Sequence, residues 1–214
     1  MKTLLLSQRI FFRTSLLFYK KPSLFKAQNI GLEKSVYTMS EAKEFPPQKV
    51  REVVVEVTRL LKERGETVSV AETAAGGIVS ASILSTPGAS KVFKGGLTVY
   101  TLESRIAFAG WTQENIAAYN GPTPDLVAGI AENVREKLGS TYCICESGTA
   151  GPGASGKGAN RQPGYVALAI ATEKGTHKKD LNTGLGGDRE GNMIVFATEA
   201  LGYLRDVLKG DAKI

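Results

Sequence analysis

The sequence predicts a three-layer α/β/α fold, one domain around a mixed, mostly parallel sheet. Strand-like runs alternate with helical stretches from residue 48 onward, which is the pattern of an α/β chain. The early strand runs are each followed by helical sequence, so their crossovers are helical and their pairing parallel. Two late runs, "YVALAIAT" (165–172) and residues 178–183, flank Gly175 closely enough to pair as a hairpin. That hairpin makes the sheet mixed.

The elements follow in order. "SEAKEFPP" (40–47) reads as a linker into a helix. From Gln48 to Arg64, Val50, Val54, Val57 and Leu61 recur at helical spacing, and Gly65 stops the helix. "TVSVAE" (67–72) alternates β-branched and small residues and reads as a buried strand. Glycines then lead into a helix over 76–85, ended by Pro87-Gly88. "GGLTVY" (95–100) is the second strand, and helical stretches are expected over 102–109 and 112–119. In "GPTPDLVAGIAENVREKLG", Thr123 caps, Pro124 fills the first turn, Asp125 complements the helix dipole and Gly139 ends the helix. "TYCICES" (141–147) is the third strand and runs into a glycine-rich loop, 148–164, too polar to pack. The last helix starts near Asp188 and buries Ala197, Leu201, Leu204 and Leu208. No internal repeat is visible. The domain is therefore expected over 48–210, after a leader at 1–38 and a linker at 39–47.

The net charge of +6 suggests a polyanionic partner until its distribution is counted. Six of the 27 basic residues lie in residues 1–32, which contain no acid; the other 21 equal the 21 Asp plus Glu. The body is neutral, which argues against phosphate-backbone binding. The leader is rich in Arg, Lys, Ser and Leu, the composition of a mitochondrial transit peptide. Initiation at Met39 would bypass it and leave a cytosolic protein. No run of apolar residues is long enough to span a membrane. Cys143 and Cys145, the only cysteines, read as small buried hydrophobes on opposite faces of their strand, not as a disulfide or a metal pair. His177, the only histidine, falls in "KGTHKKD", read as an exposed turn. A zinc site or a Ser-His-Asp triad would have to rely on it, so neither is expected, and no metal or cofactor is implied.

Ligands of α/β sheets gather beyond the carboxyl ends of the strands. Three glycine-bearing loops can meet there: 71–77, 148–164 and 184–189. "GTAGPGASGKG" (148–158) lacks the Gly-Lys-Ser/Thr ending of a P-loop. It is either a connector or a cradle of backbone N–H groups for an anion or oxyanion. In "GGDRE" (186–190), Asp188 is a helix cap, and Arg189 is a surface residue or a fork for phosphate or carboxylate.

Taken together and in this order, these motifs resemble the CinA C-terminal domain family, whose characterised members are nicotinamide mononucleotide (NMN) amidohydrolases. Ala71-Glu72-Thr73 with Gly76-Gly77 is similar to the family's A-E-S-x-T-G-G, and "VYTLESR" (99–105) to T-Y-S-N-x-x-K. "YNGPTPDLVA" (119–128) is similar to Y-G-x-V-S-x-x-V-A, "SGTAGPGAS" to S/T-G-I-A-G-P-x-G-G, and "GGDRE" to G-D-R-x. The resemblance covers about residues 48–208. It implies a mixed sheet between helical layers, a small nucleotide ligand and metal-free hydrolysis of a carboxamide to carboxylate and ammonia. It also implies self-association, as family members generally self-associate.

The family's nucleophile is a serine and its base a lysine; the matching positions here hold Thr73 and Arg105. A threonine can attack, but a guanidinium does not give up its proton and cannot serve as a base. Ala75 and Leu102 replace further small polar positions, and Met193 stands where an arginine is often found. Tyr100, Thr149, Gly151, Pro152, Asp188 and Arg189 keep the family pattern, and Gly153 beside them is a further ligand-binding candidate. Two readings follow. In one, the protein is a divergent amidohydrolase: Thr73 attacks, with Glu72, Glu103, Tyr100 or a water assisting. Backbone N–H groups of 73–77 or 148–153 hold the oxyanion, and Arg105 and Arg189 hold the phosphate. In the other, the protein binds the nucleotide without turnover, as a sensor or scaffold, and Thr73 merely caps the next helix through its hydroxyl.

Overall fold

The computed structural model of the protein describes residues 45–212. The leader expected over 1–38 and the start of the linker expected over 39–47 lie outside them.

Helix α1 (Gln48–Arg64) buries Val50, Val54, Val57 and Leu61 and ends at Gly65, whose φ of 65° lets its N–H reach the carbonyls of Leu61 and Lys62. Five strands form one sheet: β1 (Val68–Glu72), β2 (Phe93–Thr98), β3 (Tyr142–Gly148), β4 (Tyr165–Thr172) and β5 (Gly175–Asn182). Their order is β2-β1-β3-β4-β5. β1 pairs in parallel with both β2 and β3, while β4 is antiparallel to β3 and to β5. β4 alone therefore runs against the other strands.

The helices between strands are α2 (Ile78–Leu84), α3 (Leu102–Ala109), α4 (Gln113–Ala118) and α5 (Pro124–Leu138), and α6 (Arg189–Lys209) closes the domain. On one sheet face Val68, Val70, Ile144, Val166, Leu168 and Ile170 pack with α1, α2 and α6, including Phe196, Leu201 and Leu204. On the other, Ala71, Cys143, Cys145, Ala167, Ala169 and Ala171 pack with Val127, Ile130 and Val134 of α5. Alanines and cysteines let α5 approach this face closely, and the three-layer fold results.

Three expectations need correction. Cys143 and Cys145 share one face, as residues two apart on a strand must. Both are free thiols, and burial pushes the Cys143 thiol up to about 12 and the Cys145 thiol well above its ordinary value. Their inertness follows from that burial. His177 is not in an exposed turn; β5 begins at Gly175, and His177 pairs with Ile170 and is only 8% exposed. Strand β2 spans 93–98 rather than 95–100, because Phe93 pairs with Val68 and the chain leaves the sheet at the end of β1.

Candidate functional site

β1 and β3 lie side by side, with Ala71 opposite Cys145, so both strands reach their carboxyl ends at the same level. Alternation then decides which side each terminal residue faces. Glu72 and Glu146 continue the row of Val70 and Ile144, toward α2 and α6. Thr73 and Ser147 continue the row of Ala71 and Cys145, toward the α5 side. The sheet separates two carboxylates from two hydroxyls.

The carboxylates organise the loop. Glu72 is fully buried and accepts hydrogen bonds from the backbone N–H groups of Gly77 (3.0 Å), Val79 (2.9 Å) and Ser80 (2.9 Å) and from the Ser80 hydroxyl (2.6 Å). It thus does for α2 what an N-cap side chain does, from within the preceding strand. The N-cap position itself, Gly77, supplies no side chain. Glu146 Oε1 accepts from the N–H groups of Thr73 (2.6 Å) and Ala75 (2.8 Å), while its Oε2 is buried with no partner among the described residues. Burial, with Glu72 nearby, raises the Glu146 carboxyl to about 7 against the lowering effect of those two bonds and of Arg105. The N–H groups of Thr73, Ala75 and Gly77, expected as oxyanion donors, therefore already serve carboxylates.

The hydroxyls face Arg105. Thr73 Oγ1 donates to Ser147 Oγ at 3.1 Å and does not cap α2; Ser147 Oγ also accepts from Arg105 Nη2 at 3.4 Å. Arg105 is 4% exposed and lies 4.9 Å from the Trp111 ring centre and 5.4 Å from that of Tyr119. These rings, 5.7 Å apart at 56°, hold the planar cation. No carboxylate among the described residues forms an ion pair with it, and its Nη1 is buried without a hydrogen-bond partner.

The glycine-rich loop and the start of α6 complete the wall. Asn192 is fully buried; its Nδ2 donates to the carbonyls of Ala150 and Gly186, both at 2.9 Å. Gly151 abuts Gly187 so closely that a Cβ would come within 3.2 Å of the Gly187 Cα, and a Cβ at Gly187 would meet Pro152 at 3.3 Å. Asp188 caps α6 by accepting from Gly191 N–H at 3.1 Å. Arg189 Nη1 donates to the Gly151 carbonyl at 2.6 Å. Thr149 Oγ1 shares a hydrogen with Ser155 at 3.2 Å.

These surfaces enclose a cavity of about 250 Å³ whose lining includes Thr73, Tyr100, Arg105, Tyr119, Thr149, Gly151, Gly153, Ser155 and Arg189, and no acid. Of the residues singled out from sequence, Glu72, Gly76, Gly77, Pro152 and Asp188 shape the walls without lining it. A larger hollow of about 420 Å³ lies against Trp111, Tyr119 and the first turns of α5, but it contains no cationic side chain. Of these two, the smaller is the one lined by cations.

A family model for the CinA C-terminal domain matches residues 50–208. The chain belongs to the CinA C-terminal domain family. A CinA-like protein of Flavobacterium psychrophilum is 34% identical over 157 residues, spanning 72% of this chain and 36% of that one. Another, from Prochlorococcus marinus, is 36% identical over 153 residues, spanning 71% and 35%. The chain thus covers about a third of the length of these curated relatives. Crystal structures of two CinA-related proteins from Klebsiella pneumoniae share the fold. One, of the competence-damaged protein (CinA) superfamily, has a TM-score of 0.69 at 20% identity and spans 75% of this chain and 98% of its own. The other, a competence damage-inducible protein A, has a TM-score of 0.69 at 23% identity and spans 75% and 97%.

In this CinA C-terminal domain several site residues escape sequence reading. Glu146 sits in a run read only as a strand, Ser147 opens the motif "SGTAGPGAS" with no role assigned to it, and the roles of both emerge from the β1–β3 register. Asn192 hides in an amphipathic helix, where a buried amide looks like any polar position. Trp111 and Tyr119 carry a usable signal, two aromatics in a polar stretch beside a motif arginine.

Proposed function

We propose that this CinA-type domain is a divergent relative of the NMN amidohydrolases that binds a pyridine-nucleotide-like ligand and has kept the holding half of the site better than the cutting half. One observation carries the reading: a cavity lined by two arginines, Arg105 and Arg189, and by no acid. A small anion fits such a lining, and Arg189, beside the loop 149–153 and the start of α6, is where a phosphate would be held. Hydrolysis would need Thr73 Oγ1 to lose its proton. Its partner, Ser147, is a hydroxyl that already accepts from Arg105. A guanidinium cannot take the proton, and both buried carboxylates lie across the sheet. The acid-free leader supports a mitochondrial place in pyridine nucleotide metabolism.

The test uses the full chain with NMN. Millimolar NMN should raise the melting temperature, because a ligand that binds only the folded state stabilises it. Ammonia release should stay at background for both the unaltered chain and Thr73→Ala. Release by the unaltered chain that Thr73→Ala abolishes would instead establish the amidohydrolase. No stabilisation by NMN or by its nicotinate counterpart would end both readings.

A further inference from the structure

We infer that Arg105 makes this pocket a receptor for a carboxylate, so that it selects a nucleotide whose ring ends in a carboxylate over one whose ring ends in a carboxamide. The inference rests on the nucleotide-site reading above and specifies which chemical class the site prefers. Three observations point the same way.

The first is a buried charge without a close counter-ion. Arg105 is 4% exposed, has no ion pair among the described residues, and leaves Nη1 buried without an acceptor. Its remaining contacts are long, 3.5 Å from Nε to the Val99 carbonyl and 3.4 Å from Nη2 to Ser147 Oγ. A buried guanidinium is costly unless an anion and good hydrogen bonds satisfy it. The aromatic rings of Trp111 and Tyr119 offset part of this, but they accept no strong hydrogen bond.

The second is the polarity of the neighbouring groups. Ser147 Oγ accepts from both Thr73 and Arg105. Two lone pairs are then used, and the hydroxyl's own hydrogen is left to donate. No described residue accepts it. Arg105, which lines the cavity, brings only N–H donors to it. A carboxylate offers only acceptors and matches them. A carboxamide brings one acceptor oxygen where a carboxylate brings two, and its N–H edge finds only donors on Arg105. Selection of this kind is strong because the wrong ligand leaves buried polar groups unpaired.

The third is the second cation. Arg189 lies on the same cavity, held against the Gly151 carbonyl at 2.6 Å. With two cations on its lining, the cavity suits a ligand with two anionic groups. Arg105 takes the planar carboxylate, where the flat fork has an advantage over an ammonium, and Arg189 takes the phosphate.

The experiment compares two probes that differ only at this group, nicotinate mononucleotide and nicotinamide mononucleotide, by calorimetric titration of the full chain. The carboxylate form should bind about tenfold more tightly or better, the worth of one charge-assisted hydrogen bond. Arg105→Gln, which removes the charge and adds an acceptor, should bring the two affinities within about threefold of each other. Arg189→Ala should weaken both alike. Equal affinities for the unaltered protein would overturn the inference while leaving the nucleotide site intact. Binding of neither probe would overturn both. If Arg105→Gln does not fold, Arg105→Lys serves: it keeps the charge but not the fork, and should lose part of the preference. The comparison in the unaltered protein decides the matter whatever the variants do.

Discussion

Residue 146 carries a carboxylate in the buried strand β3, whose preceding side chains are mostly apolar, and its energetics differ from those of its neighbour Glu72. Glu72 gathers four donors, whereas Glu146 gathers two and leaves one oxygen bare. Burial raises the Glu146 carboxyl from 4.5 to about 7, with the charge of Glu72 adding to the rise. Below about 4.5 both states hold the proton; between there and about 7 the unfolded chain releases it while the folded chain keeps it. The stability due to this group is therefore present at low pH and declines as pH rises through that window. Glu146→Gln keeps an acceptor for the N–H groups of Thr73 and Ala75 and removes the titration. The stability of the unaltered protein minus that of the variant should fall between about pH 4.5 and about pH 7, by on the order of 1–3 kcal/mol, as read from urea unfolding. A difference that does not change with pH would show that Glu146 titrates alike in both states. Nothing in the sequence flags this residue, because "CICES" fits a buried strand ending in polar residues and the depth of Glu146 depends on which strand lies beside it.

At the scale of elements, the helices were legible, the short α3 and α4 included, but what holds α2 in place was not. The signals of α5 are local: Thr123 Oγ1 accepts from Leu126 N–H at 3.2 Å, Pro124 opens the helix, and Gly139 closes it at φ 59°. α6 follows from its buried stripe of Ala197, Leu201, Leu204 and Leu208. α2 is different. It has seven residues, is expected over 76–85 and is observed over 78–84, because its first turn is set by Glu72 rather than by a residue of its own. A helix this short is marginal without external support. Removing that support by Glu72→Ala leaves three N–H groups and a hydroxyl without their acceptor and should cost about 3–5 kcal/mol in denaturant unfolding. Glu72→Gln, which keeps an acceptor, should cost about half as much. Equal losses would mean that α2 depends on the volume of residue 72 and not on its oxygens. β5 shows the converse limit. Its start at Gly175 rather than 178 is fixed by pairing with β4, which places His177 against Ile170; a polar run cannot announce such pairing by itself.

Over the whole molecule, the cavity is assembled from segments far apart in sequence: the loop after β1, the start of α3, the loop after β3 and the start of α6. That the loops would meet was readable from topology, because parallel strands deliver their carboxyl ends to one side of the sheet. How they are joined was not, because the links are single side chains: Glu146 to the first loop, and Asn192 to both the second loop and the approach to α6. Such links make the loops respond together. β1, β3 and β4 are buried nearly throughout, so their amides should exchange only on global opening, whereas the exposed stretches around 153–158 and 184–188 should exchange by local opening. A ligand bridging Arg105 and Arg189 stabilises only states in which all the walls are in place. Hydrogen exchange of the full chain with nicotinate mononucleotide should therefore show slowing in 73–77, 149–155 and 184–189 and around Arg105 together, with an unchanged pattern in the middle of α1. Protection confined to 149–155 would mean that the ligand rests on the glycine loop alone, without reaching the buried arginine. Slowing near Arg105 without change at 184–189 would place the ligand's charge at the first cation only and leave Arg189 outside the site.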